Sequence, residues 1–378
     1  MLKRRNSGDL KLAKLPRGSV ARAYPRALFG APQAVTDWEH SQVDWLDHNR
    51  FEKGELIGSG KFSQVFASID TENRDRPIVV KVFKTGKDLK VKREIFILRY
   101  LENGPNIIEY YGCFQLPTPE KEACLVFGTV KETPWRELMD AINYQDIQHY
   151  MYQVLKALDY AHSKGVMHRD IKPQNFIADH GSRVIKVIDW GLSDFYIPGR
   201  DYNVYVASRF FKAPELLLHF KRYDHAIDMW AFGCTLAAII FKKNFLFMGD
   251  DDLDQLSVIT EQLGTQELVN YVNKYDMSFG GRMEISGFVF GGATNYRRNW
   301  DYHVNDSNRD WATLEALDLI DRLLRYDHHD RLTAQEAMYH PFFKDYTDPD
   351  APKDTECEQV SSDPNETPCA DEMPALQI

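Results

Sequence analysis

His168-Arg169-Asp170-Ile171-Lys172-Pro173-Gln174-Asn175 sets a carboxylate, an ammonium and a carboxamide close together and breaks them with a proline. Asp and Asn are ordinary turn residues, so each alone has a plain structural reading. A second acid in Asp189-Trp190-Gly191, and the fixed interval between Asp170 and Asn175, make that reading insufficient for the group.

Upstream of this stretch, from Phe51 to about Val130, the pattern is strand-like with one helix. Gly58-Ser59-Gly60 lies between apolar runs and predicts a strand, a glycine turn and a second strand. Pro77 to Phe83 is β-branched and predicts a buried strand. Val91, Ile95 and Leu98 then fall at helical spacing, and Ala123 to Phe127 predicts another buried strand. Downstream the chain turns helical. Ile147–Lys164 is amphipathic, Asp224–Phe241 is apolar enough for a buried helix, and Asp252–Leu263, Trp311–Leu324 and Thr333–Tyr339 follow.

The expected fold class is therefore α+β in two lobes: a small antiparallel-sheet lobe with one main helix, then a larger, mainly helical lobe. The division reads as a basic arm over 1–48, a small lobe over 49–130, a large lobe over 131–345 and an acidic tail over 346–378. The chain of 378 residues carries a net charge of −10, unevenly spread. Residues 1–30 hold eight Lys or Arg against Asp9 alone, and the tail holds nine acids against Lys353 alone, which predicts disorder there. Lys3-Arg4-Arg5 is open to three readings: an arm packing on the body, a nuclear address, or a presequence. No apolar run would span a bilayer, and neither a membrane nor nucleic acid is expected as a partner. Cysteines 113, 124, 234, 357 and 369 show no paired or zinc-like spacing, so cytoplasm and nucleus are the expected compartments.

With Lys81 and Glu94, the two motifs resemble the signature set of eukaryotic protein kinases, in order and spacing, from the glycine turn to Arg331. The resemblance implies transfer of the γ-phosphoryl of ATP with Mg²⁺. Gly58, Ser59, Gly60 and Lys61 would cover the phosphates, although Ser63 stands where the family has a third glycine. Lys81 would hold the phosphates and Glu94 orient it, Asp170 would take the proton of the acceptor hydroxyl, and Lys172 would steady the γ-phosphate. Asn175 and Asp189 would ligate the metal. Val65, Val79, Ile177 and Ile188 would sandwich the base, with Phe127 behind it and Gly128 and Val130 in the hinge. Ala213-Pro214-Glu215, Asp228 and Arg331 would be structural.

Trp190 in the metal-binding motif, with Val206 to Lys212, Gly104 to Ile108, Leu155 to Tyr160, Leu323 to His328 and Ala21 to Tyr24, is similar to the catalytic alpha subunits of casein kinase II. That resemblance implies a constitutively active Ser/Thr kinase for acidic protein substrates, with GTP accepted beside ATP. Lys87, Lys90, Lys92 and Arg93 before Glu94, with Arg209 and Lys212, would form a basic mouth that draws acidic peptides. Asp88, Leu89 and Tyr205 interrupt that basic pattern and predict a weaker or shifted preference. Lys53 replaces an apolar contact for the family's regulatory beta subunit and argues against its assembly, although Phe66 is kept. Thr355, followed by Glu356 and Glu358, is a candidate for autophosphorylation. The competing readings are a pseudokinase scaffold and a kinase that needs phosphorylation of its activation segment.

Overall fold

The β-branched first third of the chain folds, in the computed structural model, as strands β1 (Phe51–Glu52), β2 (Leu56–Ser59), β3 (Ser63–Asp70) and β4 (Arg76–Phe83). β5 (Tyr110–Gln115) and β6 (Ala123–Phe127) complete an antiparallel sheet of order β1-β3-β4-β6-β5, with β2 also on β3. The structure describes residues 20–60, 62–84, 89–277 and 295–348. The turn between β1 and β2 requires glycine, because a Cβ on Gly54 would lie 1.7 Å from the Ala67 carbonyl oxygen.

Alternation along β4 divides the sheet into two faces. Ile78 and Val80 are buried with Phe114, Cys124 and Val126 in a small outer cluster. Val79 and Lys81 point the other way and are only half-buried. Facing them lies the principal helix of this lobe. With α1 (Gln33–Thr36) before it, that helix is α2 (Leu89–Tyr100), which buries Val91, Glu94, Ile95, Ile97 and Leu98.

The larger lobe contains α3 (Trp135–Ala141), α4 (Tyr144–Ser163), α5 (Pro214–Leu217), α6 (Ala226–Ile240), α7 (Asp252–Leu263), α8 (Thr265–Tyr275), α9 (Leu314–Leu323) and α10 (Ala334–Met338). Helix α4 begins in a reciprocal capping box between Asn143 and Asp146. Helix α6 is buried from Ile227 to Ile240, as its unbroken apolar run requires. Helix α8 was not among the expected helices. Leu268, Tyr271, Val272 and Tyr275 do fall at helical spacing, and all four are buried. Only Gly264, at φ +87°, separates α8 from α7.

Short strands β7 (Val166–Met167), β8 (Phe176–Asp179), β9 (Val184–Val187) and β10 (Asp194–Phe195) pair as β7 with β10 and β8 with β9. They frame the His168–Asn175 loop and the Asp189 turn, which places both motifs at one edge of the lobe.

Residues 20–46 run over both lobes. The Ala21 amide donates to the Tyr196 hydroxyl at 2.6 Å, Tyr24 donates to Asp159 at 2.8 Å, and the Leu46 amide donates to the Cys113 carbonyl at 2.8 Å. Lys3-Arg4-Arg5, Lys61, Lys87 and Thr355 lie outside the described residues.

Candidate active site

The loop from His168 is positioned by one buried acid. Asp228, in the first turn of α6, accepts the backbone amides of His168 at 2.8 Å and Arg169 at 2.7 Å, and the His162 ring nitrogen at 2.9 Å. Burial opposes a charged Asp228, yet His162, His168 and the Arg169 amide hold its carboxyl below the ordinary carboxylate range. Arg169 adopts φ +68°, a left-handed conformation that a non-glycine residue keeps only when its surroundings fix it.

Asp170 is thereby placed with a crowded carboxylate. One oxygen accepts the Ser208 amide and hydroxyl, both at 2.9 Å. The other accepts Lys172 Nζ at 2.7 Å and Asn175 Nδ2 at 3.2 Å. Lys172 also donates to Ser208 Oγ at 2.8 Å. Asn175 spends its amide nitrogen on Asp170, including the carbonyl oxygen at 2.7 Å, so its own side-chain oxygen is directed elsewhere. The Ile188 amide donates to the Asn175 carbonyl at 2.9 Å, which ties this loop to the Asp189 turn.

Asp189 also sits in the left-handed region, at φ +57°. Its Oδ1 accepts Lys81 Nζ at 2.8 Å, and the same ammonium reaches Glu94 Oε1 at 2.8 Å. Burial alone would lower the Lys81 pKa, but the Glu94 and Asp189 carboxylates outweigh it and hold the ammonium above its usual value. Burial likewise opposes the Asp189 charge, and Lys81 overcomes that to lower its pKa. Strand β4, helix α2 and the Asp189 turn thus converge on one cation.

Register gathers the apolar ceiling. Val65 pairs with Lys81 and Val79 pairs with Phe127, so these four share one face of the sheet. Ile177 lies on β8, and Ile188 follows β9, its partner. All five apolar side chains are half-buried while their strand neighbours Ile78, Val80, Val126, Phe176 and Val187 are buried. A surface that is apolar and incompletely covered suits a flat ring. The Gly58-Ser59-Gly60 turn is closed by the Gly60 amide to the Ser63 carbonyl at 2.9 Å, and Lys84 Nζ donates to the Gly60 carbonyl at 2.6 Å. Gly128 follows β6, its amide on the Glu109 carbonyl at 2.9 Å, and Val130 packs against the main core.

The basic mouth requires correction at Arg93. Its guanidinium turns inward to the buried Asp194 at 2.9 Å, and Arg169 contacts the same carboxylate at 3.1 Å. Burial lowers the Arg93 pKa despite Asp194. The charge run does not show this, because the partner of Arg93, Asp194, lies 101 positions away in the chain. Lys92 is likewise engaged, donating to the Glu39 carbonyl at 2.6 Å. Lys212 donates to both carboxylate oxygens of Asp252, at 2.9 and 2.8 Å, and Arg209 donates to the Asp250 carbonyl. Lys90 is exposed at the start of α2.

Two residues of this site escaped the motif reading. Ser208 and Asp194 lie 38 and 24 positions beyond Asp170 in the chain, and no local pattern ties them to it. Ser208 stood inside the Val206–Lys212 stretch, but its role as a second partner of Asp170 follows only from the folded loop.

Hard oxygen donors from Asn175 and Asp189, held beside a paired, half-buried lysine and a hydrogen-bonded carboxylate, suit a divalent cation with phosphate. The family model described as protein kinase domain matches residues 51–343.

Proposed function

We propose that this chain, which belongs to the protein kinase domain family, phosphorylates Ser and Thr hydroxyls in acidic sequence contexts without prior phosphorylation of its activation segment. Nucleotide-dependent phosphoryl transfer comes with the family. The finer reading rests on Asp170, whose carboxylate is shared among Lys172, Ser208 and Asn175.

Lys172 and Ser208 both hydrogen-bond the Asp170 carboxylate, so an acceptor hydroxyl would share that carboxylate with them. The choice of Ser and Thr rests on the likeness of Trp190 and of Val206 to Lys212 to kinases of the casein kinase II type. Asp170 would orient the hydroxyl and take its proton, and Lys172 would hold charge developing on the transferred group. Lys81, kept protonated by Glu94 and Asp189, would grip the nucleotide phosphates. Asn175 and Asp189 would hold Mg²⁺, which when bound neutralises phosphate charge. ATP, with GTP as an alternative, would place its base between Val65 and Val79 above and Ile177 and Ile188 below.

Acidic preference is supported by Lys90, Arg209 and Lys212, without Arg93. Because Asp252 already occupies Lys212, an acidic substrate side chain would have to displace it, which favours a weaker preference than an open lysine cluster would give. Independence from phosphorylation is supported by the Ala21 amide on Tyr196, which ties the arm to the activation segment. Lys53, over the Phe66 ring at 5.2 Å, puts a charge where the resembled family has an apolar contact for its beta subunit, so we do not assign that partner. Acidic proteins of the cytoplasm and nucleus are the proposed substrates.

The deciding experiment uses unphosphorylated full-length protein, Mg·ATP and paired peptides with Glu or Ala three residues after the acceptor, with Asp170→Asn as control. Faster turnover of the Glu peptide, absent in the control, is expected. A requirement for prior phosphorylation, a preference for Pro, or equal rates for wild type and control would overturn the proposal.

A further inference from the structure

Arg209 and Lys212 follow Ser208, the partner of Asp170, across one short helical turn, Arg209–Phe211. Phe210 and Phe211 pack on Phe245 with ring centroids at 4.4 and 6.1 Å, which fixes that turn. Opposite it stands the start of α7. Arg209 donates to the Asp250 carbonyl, and Lys212 Nζ donates to both carboxylate oxygens of Asp252 at 2.9 and 2.8 Å. The Lys212 side chain is 12% exposed and that of Asp252 35%.

The Asp252 carboxylate is delivered by a built turn. Gly249 donates its amide to the buried Gln255 side chain at 2.8 Å, and Asp250 donates its amide to the Asp254 carboxylate at 2.9 Å. Asp251 caps α7 by accepting the Leu253 and Asp254 amides, both at 2.9 Å. Asp251 and Asp254 thus serve the backbone of their own turn, while Asp252 reaches across to the activation segment. A carboxylate fixed in this way gives up little freedom on pairing, whereas the side chain of an arriving peptide must be ordered to do the same. Asp250, Asp251, Asp252 and Asp254 also outnumber Arg209 and Lys212, so the local field opposes a further anion while Asp252 is charged.

We infer that Asp252 is a specificity-determining residue, a resident acid that competes with the acidic side chain of the substrate for Lys212 and sets how strongly that side chain is preferred. The inference rests on the reading of this chain as a kinase for acidic sequence contexts, and it names the residue that limits that preference. Asp252 acts through Lys212, as a positioning residue, so its effect falls on KM and follows the charge of the peptide. A plain tether between α7 and the activation segment would act alike on every peptide.

The test compares wild type with Asp252→Asn, as full-length protein with Mg·ATP, on peptides carrying a single Glu at each of the four positions after the acceptor and on the same peptide with Ala. Asn keeps an oxygen for Lys212, so the tether is retained while the charge is removed. The ratio of KM for the Ala peptide to KM for the Glu peptide is expected to rise about two- to fivefold at one position, with kcat changed less than about twofold. The rise should fade as salt is added, and it should vanish when Lys212→Met is combined with Asp252→Asn. Asp252→Ser, neutral and too short to reach Lys212, should raise the ratio as well. An unchanged ratio, equal effects on the Ala and Glu peptides, or a rise that survives Lys212→Met would overturn the inference. Wild type that prefers Glu to the same degree as Asp252→Asn sinks the inference and leaves the acidic reading standing. A preference for Glu seen only in Asp252→Asn upholds the inference and removes the acidic reading of wild type.

Discussion

Lys81 shows how a residue's role divides between chemistry and stability. Its side chain is 14% exposed and its ammonium pairs with Glu94, whose side chain is 2% exposed. Replacing it with Met removes the charge that would meet the phosphates and strands Glu94. The Lys81→Met variant is expected to lose about 10²–10³-fold in kcat and about 3 kcal/mol of stability. Adding Glu94→Gln should restore most of the stability, measured by denaturant unfolding, and none of the activity. If the double variant regains turnover, Lys81 has no catalytic part. For Asp170→Asn, a rate loss of about 10²–10⁴-fold is expected with the fold retained, since Asn keeps the shape of the side chain. Asp170 was legible in the sequence because it lies inside a short motif, and Lys81 and Glu94 because the resemblance set them beside it. Ser208 and Asp194 were not, because their partners are distant in the chain.

At the scale of elements, helix α2 does two things with adjacent positions. Glu94 reaches the sheet and Arg93 reaches the activation segment at Asp194. Arg93→Ala is therefore expected to destabilise by about 1–3 kcal/mol, moderated by the Arg169 contact that remains. It should change the KM for an acidic peptide less than twofold, and a KM effect without a stability effect would restore the basic-mouth reading of Arg93. The arm adds a pH-dependent element. Arg22 hydrogen-bonds Glu336 and lowers its carboxyl to about 2, with the Thr333 cap assisting. A depressed carboxylate contributes stability that is present above its unfolded value near 4.5 and is lost as pH falls toward 2. Both side chains are about 40% exposed, so the contribution is about 0.2–1 kcal/mol. Thermal unfolding of wild type and Arg22→Ala should differ by that amount at pH 7 and converge by pH 2.

In the whole molecule, the catalytic loop depends on two buried anchors of the large lobe. Asp228 carries the loop amides, and the Arg331–Glu215 pair, at 0% and 1% exposure, locks the end of the activation segment to the loop after α9. Arg331→Ala should cost about 3–5 kcal/mol and remove activity through unfolding, not through KM. A folded, stable but inactive variant would contradict that account. The sequence alone determined the two-lobed class, the order of sheet and helices, and the loop and turn that carry Asp170, Asn175 and Asp189, because periodicity and motif spacing are local properties. Tertiary structure alone decided which charges are spent inside. Arg93, Lys92 and Lys212 read as one exposed basic surface along the chain, yet packing brings Asp194, the Glu39 carbonyl and Asp252 against them. A charge's partner is set by distance in space, which the chain's order does not record.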